Sequence, residues 1–335
     1  MHNVLDPAIL FFIFGILAGC LKSNLEIPPA ISRFLSLYLL MALGLKGGFA
    51  LAKSGVTTEV ASGLGAAFFL ALVVPLIGYT LLKKFLTGFD AAAIAATYGS
   101  VSAVTFVTAT QYLEHQGIPF GGHMSAAMAL MESPAIIMAV MLAHSLRIAA
   151  DASPNFLTHS LVESSESSAK TSNSVRKILH ESFTDGAQLL LVGSMAIGLL
   201  TGESGKAAMQ PFSGDLFKGM LSFFLLDMGL MTARNLPQIK DKSPWLIAYA
   251  VLAPLAHATL ALVIAHVVSL SLGDSILLMV LAASASYIAV PAVLRYAIPE
   301  ANPSLYFGLS LGITFPLNIL FGIPVYAHVT QLITR

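Results

Sequence analysis

Charge is what this sequence has least of. Of 335 residues, 10% are Asp, Glu, Lys or Arg and 56% are hydrophobic, and the mean hydropathy is +0.82. A soluble domain carries roughly 25% charged residues, so the composition implies a membrane protein. The 17 basic and 17 acidic residues cancel, which leaves no net positive charge to attract nucleic acid. The single cysteine, Cys20, rules out an intrachain disulfide. It lies in an apolar run and is read as a small buried hydrophobe. There is no Walker A sequence, no Cys/His cluster at metal-ligand spacing and no Gly-rich nucleotide loop. No basic region precedes the first apolar run, so that run is expected to stay as a helix and not to be cleaved as a leader.

What the chain does have is long apolar runs. A crossing helix takes about 20 mostly apolar residues. Ten stretches qualify: 7–21, which is short, then 31–52, 60–82, 90–113, 122–146, 184–201, 214–233, 245–270, 274–296 and 304–331. The expected fold is therefore all-α and polytopic. The one long polar stretch, 147–182, is serine-rich and reads as a flexible linker. It separates a first five-helix unit, 1–146, from a second, 183–335. Five is odd, so the second unit enters the membrane from the opposite side, as in an inverted-topology repeat. Twelve lysines and arginines fall on the connections after helices 1, 3, 5, 7 and 9, and five on the other face. By the positive-inside rule, both termini lie outside and 147–182 is cytoplasmic.

The repeat is visible in the residues. A shift of 184 lays Ser100 on Ser284, Ser102 on Ser286 and Asp90 on Asp274. An Ile-Pro follows each Ser-x-Ser (Ile118-Pro119, Ile298-Pro299), and a proline sits inside each next apolar stretch (Pro134, Pro316). Gly44-Leu45 matches Gly229-Leu230 at nearly the same shift. Interrupted hydrophobic segments at matching places in two halves point to a transporter's binding site. Helices 4 and 9 are expected to break at Ser100–Ser102 and Ser284–Ser286 and to cross there.

The chemistry at such breaks suits ions. Unwound backbone at membrane depth must line a cavity or be buried in protein. Hydroxyls donate to an anion or ligate a cation, half-helix N-termini favour an anion, and carbonyls freed by the break suit Na⁺. Ser and Thr also serve as plain packing contacts between membrane helices. The candidate substrate-binding residues are Ser100, Ser102, Thr105, Ser284, Ser286 and Tyr287. Glu132 lies mid-segment beside Ser133 and Pro134. An ionisable residue at that depth costs on the order of 2.5–3.5 kcal/mol on insertion and marks a function by default. Glu132 and Ser133, with a carbonyl freed by Pro134, form a candidate Na⁺ site; Thr314 and Asn318, either side of Pro316, complete the candidate ion ligands. Glu132 could instead pair with Lys46. Asp227 is expected to form an interior ion pair with Lys46. His257 reads as a packing histidine before a proton relay, and His115, His123, His144 and His180 as edge residues without a specific role. Gly202-Glu-Ser204-Gly205 resembles an intramembrane protease motif but falls in a polar turn with no histidine placed to activate it. A carrier is therefore favoured over an enzyme, and also over a passive channel, which would need rings of charge or repeated subunits around a pore.

Gly99-Ser-Val-Ser-Ala-Val-Thr105, Leu113-Glu-His-Gln-Gly-Ile-Pro119 and Met131-Glu-Ser-Pro134 resemble the sodium-dependent bicarbonate transporter family (SbtA type). So do Ala253-Pro-Leu-Ala-His257, Ala282-Ala-Ser-Ala-Ser286, Ile298-Pro299 and Ala301-Asn-Pro-Ser304. The resemblance implies a Na⁺/HCO₃⁻ symporter of the bacterial inner membrane with no cofactor. It implies a gate domain, a core domain and a homotrimer, with the anion at the two serine breaks and Na⁺ nearby. In cyanobacterial members a PII-like regulatory protein docks on the cytoplasmic face. This sequence departs from the family's pattern at the site. Tyr287 replaces an acidic residue, Ala289-Val-Pro291-Ala replaces Ser-Gly-Pro-Pro, and Glu132 replaces Asp. Losing the acid at 287 predicts weaker Na⁺ dependence or reliance on Glu132. Coupling to H⁺, and another small anion or a carboxylate as substrate, stay open.

Overall fold

The computed structural model describes residues 6–55, 57–151, 186–239 and 242–333, and all regular elements among them are helical. In chain order these are α1 (Pro7–Cys20), α2 (Pro29–Ser54), α3 (Thr58–Leu82), α4 (Gly88–Gly99), α5 (Ala103–Gln116) and α6 (His123–Asp151). Then come α7 (Gly186–Met209), α8 (Phe217–Asn235), α9 (Pro244–Val267), α10 (Leu272–Ala283), α11 (Ala289–Ala297) and the long α12 (Pro303–Ile333). Local signals start several of them. Asp6 accepts from the Ala8 N–H at the head of α1, Thr57 from Val60 at the head of α3, and prolines open α1, α2, α9 and α12.

Seven of the described segments are long and apolar enough to cross a membrane. The difference from ten has three local causes. The first apolar run forms only 14 helical residues. The ninth is divided by its break, so α10 has 12. The sixth and seventh merge into one segment, Leu189–Asn235, of 47 residues. At 1.5 Å per residue that segment is about 70 Å long, more than twice a ~30 Å hydrocarbon core. It bends at Gly202, where φ is +53°, and turns again through wide π-helical backbone at Gln210–Asp215. Gly202-Glu-Ser204-Gly205 falls at the first of these breaks in the helix, as expected of a turn, and the exposed Ser204 hydroxyl donates to the Thr201 carbonyl (2.8 Å). Residues 147–151 continue α6, and the rest of the expected linker, 152–182, lies outside the described residues, as does His180.

The helices pack as two groups. α1 lies on α8 and α2 on α7. Both contacts depend on glycine: a Cβ on Gly15 would stand 2.3 Å from the Leu226 carbonyl oxygen and 3.1 Å from Gly229, and one on Gly198 2.6 Å from the Leu45 carbonyl and 3.1 Å from Gly48. Small residues let membrane helices approach to backbone contact. The remaining helices surround α4 and α10. Ala91–Ala96 of α4 and Gly273–Ala283 of α10 are buried on every side, the mark of a central helix. Large apolar side chains cover the outside, among them Phe14, Leu17, Phe69, Leu252 and Val263. Cys20 is also exposed, contrary to its reading as a buried hydrophobe, because α1 turns only one stripe toward α8.

Two reciprocal contacts tie this second group together. The Asp90 carboxylate accepts from the Asn302 N–H (2.8 Å) and the Asp274 carboxylate from the Gly121 N–H (2.6 Å). Each aspartate opens the first half of one broken helix and grips the loop after the other. His123, read as an edge residue without a role, is buried 3.7 Å from Asp274.

Candidate functional site

Both serine motifs interrupt their helices. α4 ends at Gly99, Ser100 is extended (φ −96°, ψ −178°), and α5 starts after Ser102. α10 ends at Ala283, Ser284 is extended (φ −81°, ψ 165°), and α11 starts after Ile288. The breaks touch. The Ser102 N–H donates to the Ser284 Oγ (2.9 Å), and the Ser286 N–H donates to the Thr97 carbonyl (2.8 Å). Backbone that left its helix is thus paired across the crossing, as burial demands.

The hydroxyls divide into structural and available ones. Ser284 Oγ accepts from Ser102 and donates to the Leu281 carbonyl (2.8 Å), so its proton is committed to the fold. The Thr105 hydroxyl donates to Ser102 Oγ (3.0 Å), which also accepts from the Thr105 N–H (3.2 Å). Ser102 caps α5 as an acceptor and keeps its own proton to give. Ser286 Oγ accepts from the Val290 N–H (3.3 Å) and is in the same position. Tyr287, 3% exposed, packs on Phe315 (5.0 Å between ring centres). Its hydroxyl has no hydrogen-bond partner, and neither has the Ser100 hydroxyl, 1% exposed.

Ser102, Ser286 and Tyr287 line one cavity of about 60 Å³ with Ser36 of α2 and Glu132 of α6. At roughly 10–15 Å³ for each water-sized group, that is room for about four to six of them. The Ser102 and Ser286 hydroxyls, each with a proton left to donate, suit an anion's oxygens. A carboxylate on the same cavity disfavours a lone anion unless a cation or proton accompanies it. Ser36 was not singled out from sequence, since a lone serine on an apolar helix gives no signal.

The proposed cation ligands are not brought together. Glu132 lines the cavity, while Pro134 lines an apolar groove between α3, α6 and α7. The side chain of Ser133 lies outside the described residues. Thr314 donates to the Ala250 carbonyl (2.8 Å) and bonds Tyr98 (2.7 Å). The Asn318 amide donates to the Ala283 carbonyl (2.8 Å) and its oxygen accepts from Tyr326 (2.9 Å). Three carbonyls at the breaks are already taken: Thr97 accepts from Ser286, Leu281 from Ser284 and Ala283 from Asn318. Unpaired carbonyls are costly in a dry interior, so side chains cap them. Among the described residues no three His, Cys, Asp or Glu side chains cluster, so a cation in the cavity would meet hydroxyls and one acid.

Lys46 takes a partner that neither expectation named. Lys46 Nζ lies 3.0 Å from Glu114 and 4.2 Å from the centre of the Phe217 ring. This pair joins α2 to α5 on the wall of a larger polar cavity of about 480 Å³, which also holds Lys53, Lys206, Glu203 and Asp215. Asp227 instead accepts from the Ser32 hydroxyl. Sequence offered no route to either pairing, because both join residues far apart in the chain.

No curated protein matches the chain. The family model of the Na⁺-dependent bicarbonate transporter superfamily matches residues 7–331, nearly the whole of its length. The chain, with two broken helices crossing at a hydroxyl-lined cavity, belongs to the Na⁺-dependent bicarbonate transporter superfamily.

Proposed function

We propose that the protein is a carrier, not an enzyme, and moves bicarbonate into the cell together with Na⁺ by alternating access. The observation that carries this reading is the shared cavity: Ser102, Ser286 and Tyr287 line the same 60 Å³ space as Glu132, and Ser102 and Ser286 each keep a hydroxyl proton to give. The anion takes the hydroxyl wall, where half-helix N-termini also end. The cation sits between anion and Glu132, and each ion lowers the cost of binding the other. Neither binds well alone, which is the physical basis of coupling. Thr105 and Ser284 hold the donors in place, and Thr314 and Asn318 support the crossing from behind.

The chain is read as ten spans in two inverted five-helix repeats, 1–146 and 183–335. Support comes from contacts that exchange under the repeat: α1 on α8 answers α2 on α7, and Asp90 on the Asn302 loop answers Asp274 on the Gly121 loop. The group of α1, α2, α7 and α8 is the gate and the rest is the core. Both termini lie outside the inner membrane and 147–182 is cytoplasmic, on the distribution of Lys and Arg. The homotrimer and a PII-like cytoplasmic partner rest on the family likeness alone.

Glu132 in the cavity also supports a second reading, H⁺-coupled transport of a small anion or carboxylate, since a proton on Glu132 satisfies the same charge requirement. Counter-flow in liposomes tests for a carrier: preloaded unlabelled bicarbonate accelerates uptake of labelled bicarbonate through a carrier and leaves flux through a passive channel unchanged.

A further inference from the structure

Asp227 is a buried acid that lies outside the cavity. Asp227 sits mid-way along α8 and is 5% exposed. Leu221, Phe224, Leu225 and Met228 of the same helix are buried around it. Its carboxylate accepts from the hydroxyl of Ser32 on α2. Among the described residues two ionisable groups act on it electrostatically. One is Arg234, exposed and seven residues further along α8. The other is Tyr287, which belongs to the broken helix of the core and whose hydroxyl is buried without a partner. Asp227 therefore stands in the gate, in electrostatic reach of the residue that lines the substrate cavity.

Asp227 lines neither the 60 Å³ cavity nor the 480 Å³ one, so a hydrated ion in either does not meet it. A Na⁺ ion wants several oxygen ligands, and a single hydroxyl falls short. A bare charge among leucines is costly. A proton needs no cavity and no ligand shell.

We propose that Asp227 carries a proton in this arrangement and is the group through which transport responds to pH. The proton stays while the core is docked against the gate, and passes to water when Tyr287 moves away and solvent reaches α8. Only the carboxyl O–H bond breaks; its electron pair stays on the carboxylate and the proton goes to solvent. The second half of this statement rests on the alternating-access reading above, and the first half does not.

The test is infrared difference spectroscopy of the purified protein in lipid, wild type against Asp227→Asn, at pH 7. The expected result is a carbonyl stretch of a protonated carboxylic acid in the wild type that the variant lacks. Its absence overturns the proposal, whatever the protein transports. Should Asp227→Asn fail to fold, Ser32→Ala serves instead: losing the hydroxyl donor should shift that band, and no shift overturns the assignment. Uptake at saturating Na⁺ tests the pH role. Where the wild-type rate changes by up to about tenfold per pH unit, as for a single titrating group, Asp227→Asn should vary less than about twofold. An unaltered pH profile overturns that role, and so does a large rise in the Na⁺ concentration for half-maximal uptake, which would make Asp227 a cation ligand. A wild type that shows the band but does not take up bicarbonate removes the substrate reading and leaves the protonated Asp227 standing.

Discussion

Ser102→Ala separates a residue's service to the fold from its service to the ligand. In the structure Ser102 Oγ accepts from the Thr105 N–H and the Thr105 hydroxyl and faces the cavity. Alanine removes a helix cap, which costs about 1 kcal/mol of stability. It also removes the proton that Ser102 has left to donate. A hydrogen bond to a charged group is worth about 1.5–3 kcal/mol, so bicarbonate affinity should fall by roughly 10- to 150-fold. Thr105→Val is the control, because it takes one bond from the cap but no donor from the cavity. It should lower the melting temperature somewhat while affinity stays within about twofold, under roughly 0.5 kcal/mol. Ser102→Thr, which keeps the hydroxyl, should restore binding. Affinity is read from titration calorimetry of purified protein at fixed Na⁺, and stability from a thermal melt without ligand. Loss of stability with unchanged affinity in Ser102→Ala would refute the reasoning, since the hydroxyl would then be a cap and nothing more.

Three further outcomes follow from the same geometry. Glu132→Gln should raise the Na⁺ concentration for half-maximal uptake several-fold while leaving a pH response; loss of the pH response with unchanged Na⁺ dependence would assign Glu132 to a proton. Tyr287→Phe deletes a buried hydroxyl that has no partner in the fold, so its melting temperature should hold or rise while anion affinity drops by about tenfold or more; equal affinity would make Tyr287 a packing residue. Arg147 binds Glu300 through two 2.7 Å hydrogen bonds and holds this exposed carboxyl below its usual range. The stability so gained is full above the ordinary Glu pKa and is lost as pH falls through the lowered one. Glu300→Gln should therefore be less stable at pH 7, by under about 1 kcal/mol for so exposed a pair, and the two proteins should converge in acid; a constant gap from pH 7 down to about 2, below the usual carboxylate range, would contradict this.

The breaks were legible because the Ser-x-Ser motif recurs at a fixed shift, and a repeat reports long-range geometry that a single segment cannot. The substrate residues were legible only as a set. Sequence could not say that Ser284 and Thr105 spend their protons on the fold while Ser102 and Ser286 keep theirs, because that depends on which carbonyls the crossing brings near. The cation ligands were over-read for a related reason. Carbonyls freed by a break look available in sequence, but Ser286 and Asn318, distant in the chain, take two of them. The repeat pairs Lys46 with Asp227, which lies one turn before the equivalent of Lys46 in the second half, yet the partner of Lys46 is Glu114 at the end of the broken helix. The sixth and seventh spans follow each other with only a break at Gly202 and a π-helical turn at Gln210–Asp215 between them, and neither feature has a hydropathy signature.

The central claim is that anion and Na⁺ share one cavity and move together. Its most direct test is uptake of labelled bicarbonate by purified protein in liposomes, with an inward Na⁺ gradient as the only driving force and equal pH on both sides. The account predicts transient accumulation above the outside concentration, abolished by a Na⁺ ionophore. Uptake that only equilibrates, or that accumulates on a pH gradient with no Na⁺ present, would contradict it.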